Sequence, residues 1–361
     1  MTVTIKDIAR IAGVSHTTVS RALHDHPAIA PGTIERIKRI ASEQGYLPSA
    51  VARGLKTRRS QALGVIVSSI DDPFWSEVLQ GIDDILHPAG YSLFVVASHR
   101  DNQREKEIVR AMVERRVDGV ILCSPTFSSE HSRLLQGYGL TTVVVNNQGA
   151  EDYQYSIYND NVYGSRLVTR HLIGLGHQCI AYLGNAQGGR TTEEREEGYR
   201  KEMGAARLPI NEALVHRESD ETLAGGFAGA QYFLAMPDPP TAIVCYNDNM
   251  AVGVYSALFQ AGLYIPEHMS LVGYDNIAIS AYMTPPLTTF HQPKYNLGAE
   301  AAQLMLRLIE SREEEVPPPE PQTVVLRGEL RLRASTRAVH ANHKFDPPHE
   351  EPGPGAVGSE P

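Results

Sequence analysis

The 361-residue chain is predicted to be an α/β protein. A small all-α head with a helix-turn-helix is followed by a body of two doubly wound parallel-sheet subdomains. Three observations predict this. Residues 5–23 read as two short helices about a glycine. Beyond residue 60, short apolar runs alternate with amphipathic helices, and the alternation restarts midway. The charge is also split, with ten Lys/Arg against four Asp/Glu in residues 1–60 of a chain whose net charge is −9. A basic head on an acidic body directs the head toward phosphates and keeps the body off them.

In the head, Ile5, Ile8, Ala9 and Ala12 share one helical face. Gly13 suits the sharp turn that follows. Ser15 is placed to cap a second helix. Val19, Ala22 and Leu23 give that helix a narrow apolar face, leaving His16, Thr17, Thr18, Ser20 and Arg21 polar. This is the layout in which a second helix enters the major groove and reads bases from its N-terminal end. The plainer alternative is a helical hairpin on a globular surface. Thr33, Ile34, Ile37, Lys38 and Ala41 mark a third helix. Residues 48–56 could form one more short helix, with Ser49 as cap and Val51, Ala52 and Leu55 on one face. It is too short to persist alone in water, and Gly54 costs it about 1 kcal/mol relative to Ala.

In the body, strands are expected at 63–67, 93–97, 119–123 and 142–145, with helices at 74–86 and 104–115. The second series has helices at 163–173, 194–203 and 249–261, and strands at 180–183, 241–245 and 270–273. Apolar runs without alternation suit strands buried on both faces. Residues 287–289 and a helix at 296–309 are expected to cross back to the first subdomain. Strands at 322–326 and 329–333 are expected to complete the second. The boundaries are therefore a head at 1–47, a hinge and linker at 48–60, and a body at 61–338. The body divides roughly into 61–158 plus 290–320, and 159–289 plus 321–338. Residues 339–361, rich in Pro, Gly, Glu and His, read as a disordered tail.

Several function classes find no support. No apolar run approaches the ~20 residues of a membrane span, and the N-terminus lacks a signal-peptide core. Cys123, Cys179 and Cys245 fall in or beside apolar runs, as core residues of a reduced, cytoplasmic protein do. Neither a metal-ligand spacing nor a phosphate loop nor an activated nucleophile is present, so neither a cofactor nor catalysis is expected.

The order AGVS-x-TTVSRAL, then GYLPSAVARGLK, then LGVIV resembles the lactose-repressor family (LacI/GalR type) of bacterial regulators, over roughly residues 2–338. The resemblance implies a periplasmic-binding-protein-like body, a homodimer, a pseudo-palindromic double-stranded operator and a small polar effector, here expected to be a sugar. It assigns base reading to His16, Thr17 and Arg21, the last on a guanine. Ser15, Thr18 and Ser20 become phosphate contacts and caps. Residues 48–56, with Ser49, Ala52 and Lys56 near the DNA, become a hinge helix that folds only on the operator. There Leu55 wedges into the minor groove.

Effector groups should lie where strands end, in the crevice between subdomains. The resemblance places Trp75, the only Trp, and Phe74 at one wall, with Arg195, Asn247 and Asp275 gripping hydroxyls. Asn147 and Gln292, also at strand ends, are weaker candidates, and Asp248 reads as a helix cap. Core packing at a helix start is the plainer role for Trp75. Several sugar-binding members carry an aromatic where this chain has Glu221, which puts a simple disaccharide in doubt.

The leading function is a ligand-controlled repressor of carbohydrate-use genes, with a purine or another metabolite as the alternative effector. A sugar receptor without a DNA role would leave the basic head unexplained. An enzyme acting on a sugar would need chemistry that no residue pattern supplies.

Overall fold

The computed structural model describes residues 3–46, 59–123, 134–135, 137–146 and 153–339. Ser49, Ala52, Leu55, Lys56 and Asn147 lie outside the described residues, as does the tail from residue 340. The chain divides into two compact units, Met1–Gln61 and Ala62–Pro361.

The first unit is three helices: α1 (Ile5–Ala12), α2 (His16–Leu23) and α3 (Pro31–Glu43). Thr4 and Asp7 form a capping box at the start of α1, and Gly13 ends it at φ 65°. Ser15 caps α2, its hydroxyl accepting from Thr18 N at 3.0 Å. Helix α3 starts at Pro31, two residues earlier than Thr33, because proline's fixed φ suits a first helical position. Ile8, Ala12, Val19, Ala22, Ile37 and Ala41 bury one shared core. That core fixes α2 with His16, Thr17 and Arg21 exposed and Thr18 and Ser20 half-buried.

The second unit contains two six-stranded sheets, each making a lobe. The first lobe's strands are β1 (Ala62–Val67), β2 (Ser92–Ala97), β3 (Gly119–Cys123), β4 (Thr141–Val145), β5 (Tyr155–Asn159) and β11 (Gln322–Leu326). They run parallel in the order β11-β5-β4-β3-β1-β2. Helices α4 (Pro73–Leu86) and α5 (Asn102–Glu114) belong to this lobe. The second lobe has β6 (Ile180–Asn185), β7 (Val215–Glu218), β8 (Ala242–Cys245), β9 (Ser270–Asp275), β10 (Thr288–His291) and β12 (Glu329–Arg331). Their order is β12-β10-β9-β8-β6-β7, and only β12 runs antiparallel. Its helices are α6 (Asn161–Gly174), α7 (Gly189–Ala205), α8 (Leu223–Leu234) and α9 (Asp248–Gln260). Strands β1, β3, β6, β8 and β9 are buried along their whole length, as strands covered on both faces must be.

Helix α10 (Lys294–Glu313) returns to the first lobe and packs on α4. The two backbones touch there. A Cβ on Gly81 would strike Tyr295 O, and one on Gly298 would strike Val78 O, so glycine is required at both positions.

One strand sits in the opposite lobe from that expected, and another stays in the second lobe, inside the expected 159–289 boundary, instead of crossing back. The 322–326 segment pairs with β5 in the first sheet, and the 287–289 run becomes β10 in the second. Sheet membership is a long-range pairing that local pattern does not encode. The chain therefore crosses between lobes three times, after β5, after β10 and after β11. All three crossings lie at one edge of each sheet.

Candidate functional site

A narrow cleft of about 60 Å³ lies between the lobes, lined by residues that follow strand ends of both sheets. From the first lobe come Ser68, Asp72, Phe74, Trp75, Arg100 and Asn146; from the second, Thr191, Arg195, Glu221, Tyr246, Asn247 and Asp275. Five residues expected at the effector site thus come together: Phe74, Trp75, Arg195, Asn247 and Asp275. Asn146 lines the cleft where Asn147 was expected to contribute.

Asp72 caps α4 by accepting from Phe74 N at 3.0 Å, and so aims Phe74 and Trp75 at the cleft. The rings of Phe74 and Trp75 meet edge to face with centroids 4.9 Å apart. Trp75 Nε1 donates to Ser68 Oγ at 2.9 Å, which fixes the indole plane. Core packing and cleft lining are therefore both true of Trp75.

Arg195 sits on α7 in a buried aromatic vice. Its guanidinium carbon lies 3.9 Å from the Tyr274 ring centroid and 4.5 Å from that of Tyr246. Nε donates to Asn161 Oδ1 at 3.2 Å, and another nitrogen donates to the Tyr246 carbonyl. The remaining edge lies 3.8 Å from Asp275 Oδ1. A guanidinium so held is preorganised, with little rotamer freedom left to lose on binding.

Asp275 ends β9 at φ 112°, a strained backbone for a non-glycine residue and one that recurs at ligand clamps. Burial pushes its carboxyl well above the ordinary range, against the pull of Arg195. Gln292 does not line the cleft. It is fully buried behind it, donating to Asp275 Oδ1 while accepting from Asn159 Nδ2. Its place at the β10 crossing makes it a positioning group for Asp275. Lys294, also fully buried, donates to the carbonyls of Asp275 and Asn276 and pairs with Glu77 at 3.2 Å.

Asn247, not Asp248, caps α9: its Oδ1 accepts from Met250 N at 2.8 Å and its Nδ2 donates to Glu221 O at 3.2 Å. Asp248 instead accepts from Ile277 N at 2.9 Å and Thr289 Oγ1 at 2.6 Å, tying α9 to β9 and β10. Burial raises its carboxyl to about 7.

Burial also pushes Asp72 up to about 6, with Glu221 adding to the rise and Phe74 N and Arg100 opposing it. Between pH 4 and 6 the native state holds a proton that the unfolded chain has released. Stability should therefore fall as pH rises through that window, with the full penalty present above it. Asp72→Asn keeps a capping oxygen but removes the charge. We expect it to raise the melting midpoint at pH 7.5 by on the order of 2–4 °C, the effect of ~1 kcal/mol in a body of this size. Differential scanning calorimetry at pH 7.5 and pH 4.5 checks this, since the gain should be clearly smaller at the lower pH, where only part of the penalty has set in.

The pairing of Arg100 with Glu221 escaped sequence reasoning, as did the cleft positions of Ser68, Thr191 and Tyr246. Ser68 and Tyr246 directly follow β1 and β8, so a strict search of strand ends would have found them. A larger groove of about 360 Å³ lies at Leu135, Tyr153 and Leu308, but it has no comparable convergence of charged groups. Among the described residues no cluster of three His, Cys, Asp or Glu could hold a metal, and no helix is long and apolar enough to cross a membrane.

Comparison with known proteins agrees with both units. Residues 4–49 match the model of bacterial regulatory proteins of the lacI family, and residues 169–336 match a periplasmic binding protein-like domain. The HTH-type transcriptional repressor PurR of Actinobacillus pleuropneumoniae serotype 5b (strain L20) is 34% identical over 337 residues, covering 93% of this chain and 99% of that one. The PurR repressor of Vibrio campbellii is 36% identical over 313 residues, covering 86% and 93%. Among solved structures, the lac repressor dimer bound to operator and the anti-inducer ONPF aligns with a TM-score of 0.84. It is 27% identical and covers 94% of this chain and 100% of that one. The chain belongs to the lacI family of bacterial regulatory proteins and is a DNA-binding transcriptional repressor.

Proposed function

We propose that this repressor is a cytoplasmic homodimer that binds a pseudo-palindromic operator and is controlled by a sugar held between its lobes. The observation that carries the effector reading is the convergence of Arg195, Asp275 and Asn247 from the second lobe on Trp75 of the first. A hydroxyl both donates and accepts, so it can satisfy a carboxylate and a guanidinium at once. The indole offers an apolar wall to a pyranose or furanose face. The role assigned to the cleft is binding and release of a ligand.

A second reading, a purine-class effector, is favoured by the relatives named PurR. The cleft offers Glu221 where an aromatic would give a flat base a second stacking face. Large exposed side chains support self-association: Leu223, Ile279 and Tyr282 of the second lobe are all at least half exposed by area.

The test is a thermal-shift panel of pentoses, hexoses, disaccharides and purine bases, followed by electrophoretic shift on upstream DNA with each hit. A ligand at about 100 times its Kd should stabilise the body by ~2.7 kcal/mol. We expect a sugar to shift the midpoint and to change operator affinity. A purine hit with silent sugars would overturn the sugar assignment and support the second reading.

A further inference from the structure

The mouth of the cleft is spanned by an ion pair between Arg100 of the first lobe and Glu221 of the second. Sheet order gives this pair its leverage. The three crossings lie at the β11/β5 edge of one sheet and the β12/β10 edge of the other. Arg100 follows β2 and Glu221 follows β7, the strands at the opposite edges. A contact far from a hinge resists opening with the longest arm.

Both ends of the pair are held in place. His99 and Arg100 adopt φ of 52° and 59°, two successive left-handed non-glycine residues. Such a turn costs energy and persists where the surroundings over-determine it, as at ligand clamps. Arg100 N also donates to Ser98 Oγ at 3.3 Å. On the other side, Glu221 Oε2 accepts from Asn185 Nδ2 at 2.9 Å, and its carbonyl accepts from Asn247 Nδ2. The two side chains are only 17% and 19% exposed, so solvent screens the pair less than a surface bridge.

We propose that Arg100 and Glu221 form a latch that holds the lobes together at the cleft mouth and selects the effector class. The selection half rests on the effector reading above. A ligand large enough to touch both lobes must take over the two ends of the latch, offering an acceptor to Arg100 and a donor to Glu221. Adjacent hydroxyls supply both. A planar base meets a carboxylate where a second stacking surface would serve it.

The lone tryptophan lets the latch be tested without any ligand. Trp75 is 6% exposed beside the latch, so opening should admit acrylamide to the indole. In the full-length protein, Arg100→Gln and Glu221→Gln are each expected to raise the quenching constant roughly twofold by shifting the population toward open lobes. The double substitution should do no more than either single, since both remove the same bond. A salt titration of the unsubstituted protein gives an independent check. Sodium chloride at about 1 M, where the Debye length is ~3 Å, should raise quenching in that protein and leave the double variant unchanged. Silent single variants with a salt-insensitive parent, or single effects that add in the double, would overturn the latch.

The selection half is read by repeating the quenching with ribose, glucose, cellobiose, hypoxanthine or guanine. Protection by a sugar that is weakened by Glu221→Gln supports it, and protection by a base that is indifferent to Glu221→Gln overturns it. If no compound protects, the effector reading fails while the ligand-free result still decides the latch.

Discussion

An Asp275→Asn chain is expected to fold at least as stably as its parent and to bind the operator, yet to ignore its effector. The stability half follows from burial. The carboxyl of Asp275 is almost wholly removed from water, and its pKa is driven up for that reason. Neutralising it in place relieves the desolvation of the charge while keeping an oxygen for Gln292 to donate to. Asn also tolerates the positive φ at this position better than most residues. The binding half follows from geometry. Among the described residues the same carboxyl is the one acid paired with Arg195, 3.8 Å away, and together they form the polar floor of the cleft. Losing a charged hydrogen-bond partner to a ligand costs about 1.5–3 kcal/mol, or roughly one to two decades of affinity.

The measurements are a melting curve, isothermal titration with the effector, and operator binding with and without it. A midpoint held or raised, with titration heat lost and effector-free DNA binding retained, is the expected set. Normal effector response in Asp275→Asn would mean that the cleft is not the effector site. Asp275→Ala is the harsher control. It leaves Arg195 and the Gln292 amide short of an acceptor in a buried place, so its melting point should drop.

Legibility in the sequence was uneven, for physical reasons. Strands such as β1 and β3 were plain because burial on both faces demands continuous apolar runs. Strand β7, Val215–Glu218, is short, half-buried and largely polar, and so carried no such signal. Helix α8 was hidden by its glycines, which lower helix propensity. The structure explains them: a Cβ on Gly226 would strike Met250 O, and one on Gly253 of α9 would strike Leu223 O. Close packing of α8 on α9 required residues that disguise a helix.

At the cleft, the family resemblance located Trp75, Arg195, Asn247 and Asp275, in keeping with the rule that doubly wound sheets gather functional groups at strand ends. It missed the ion pair of Arg100 with Glu221, whose partners lie 121 residues apart on different lobes. The strand-end rule assigned Gln292 to the ligand when that side chain backs Asp275, a distinction that depends on packing depth. In the head, short-range capping made almost everything readable: Gly13, Ser15 and the apolar face of α2 are as the spacing required.

The second large effect is expected in that head. Arg21→Ala should weaken specific operator binding by roughly 1–3 kcal/mol and relax preference mainly at one base pair in each half-site. The argument begins with what holds α2. Ser15 Oγ accepts from Thr18 N at 3.0 Å and lies 2.9 Å from Thr18 Oγ1, which fixes the first turn. Val19 and Ala22 are fully buried against Ile8 and Ile37, which fixes the helix about its axis. Arg21 is thereby left exposed, between the two buried positions in the helical rotation but off their face. Its removal takes no contact from the core, so the melting point should not move, and any loss of binding belongs to the DNA interface. A guanidinium fork that pairs guanine O6 and N7 is read as a loss at one position. A phosphate contact would be lost equally on every sequence. Lys56→Ala supplies that second pattern for comparison: uniform weakening, with the slope of log K against log salt reduced by about 0.9. Binding measured on an operator and on its single-base variants, at two or more salt concentrations, separates the two. If Arg21→Ala weakens all variants alike and flattens the salt slope as Lys56→Ala does, Arg21 anchors the backbone, and base reading passes to His16 and Thr17 at the start of the helix.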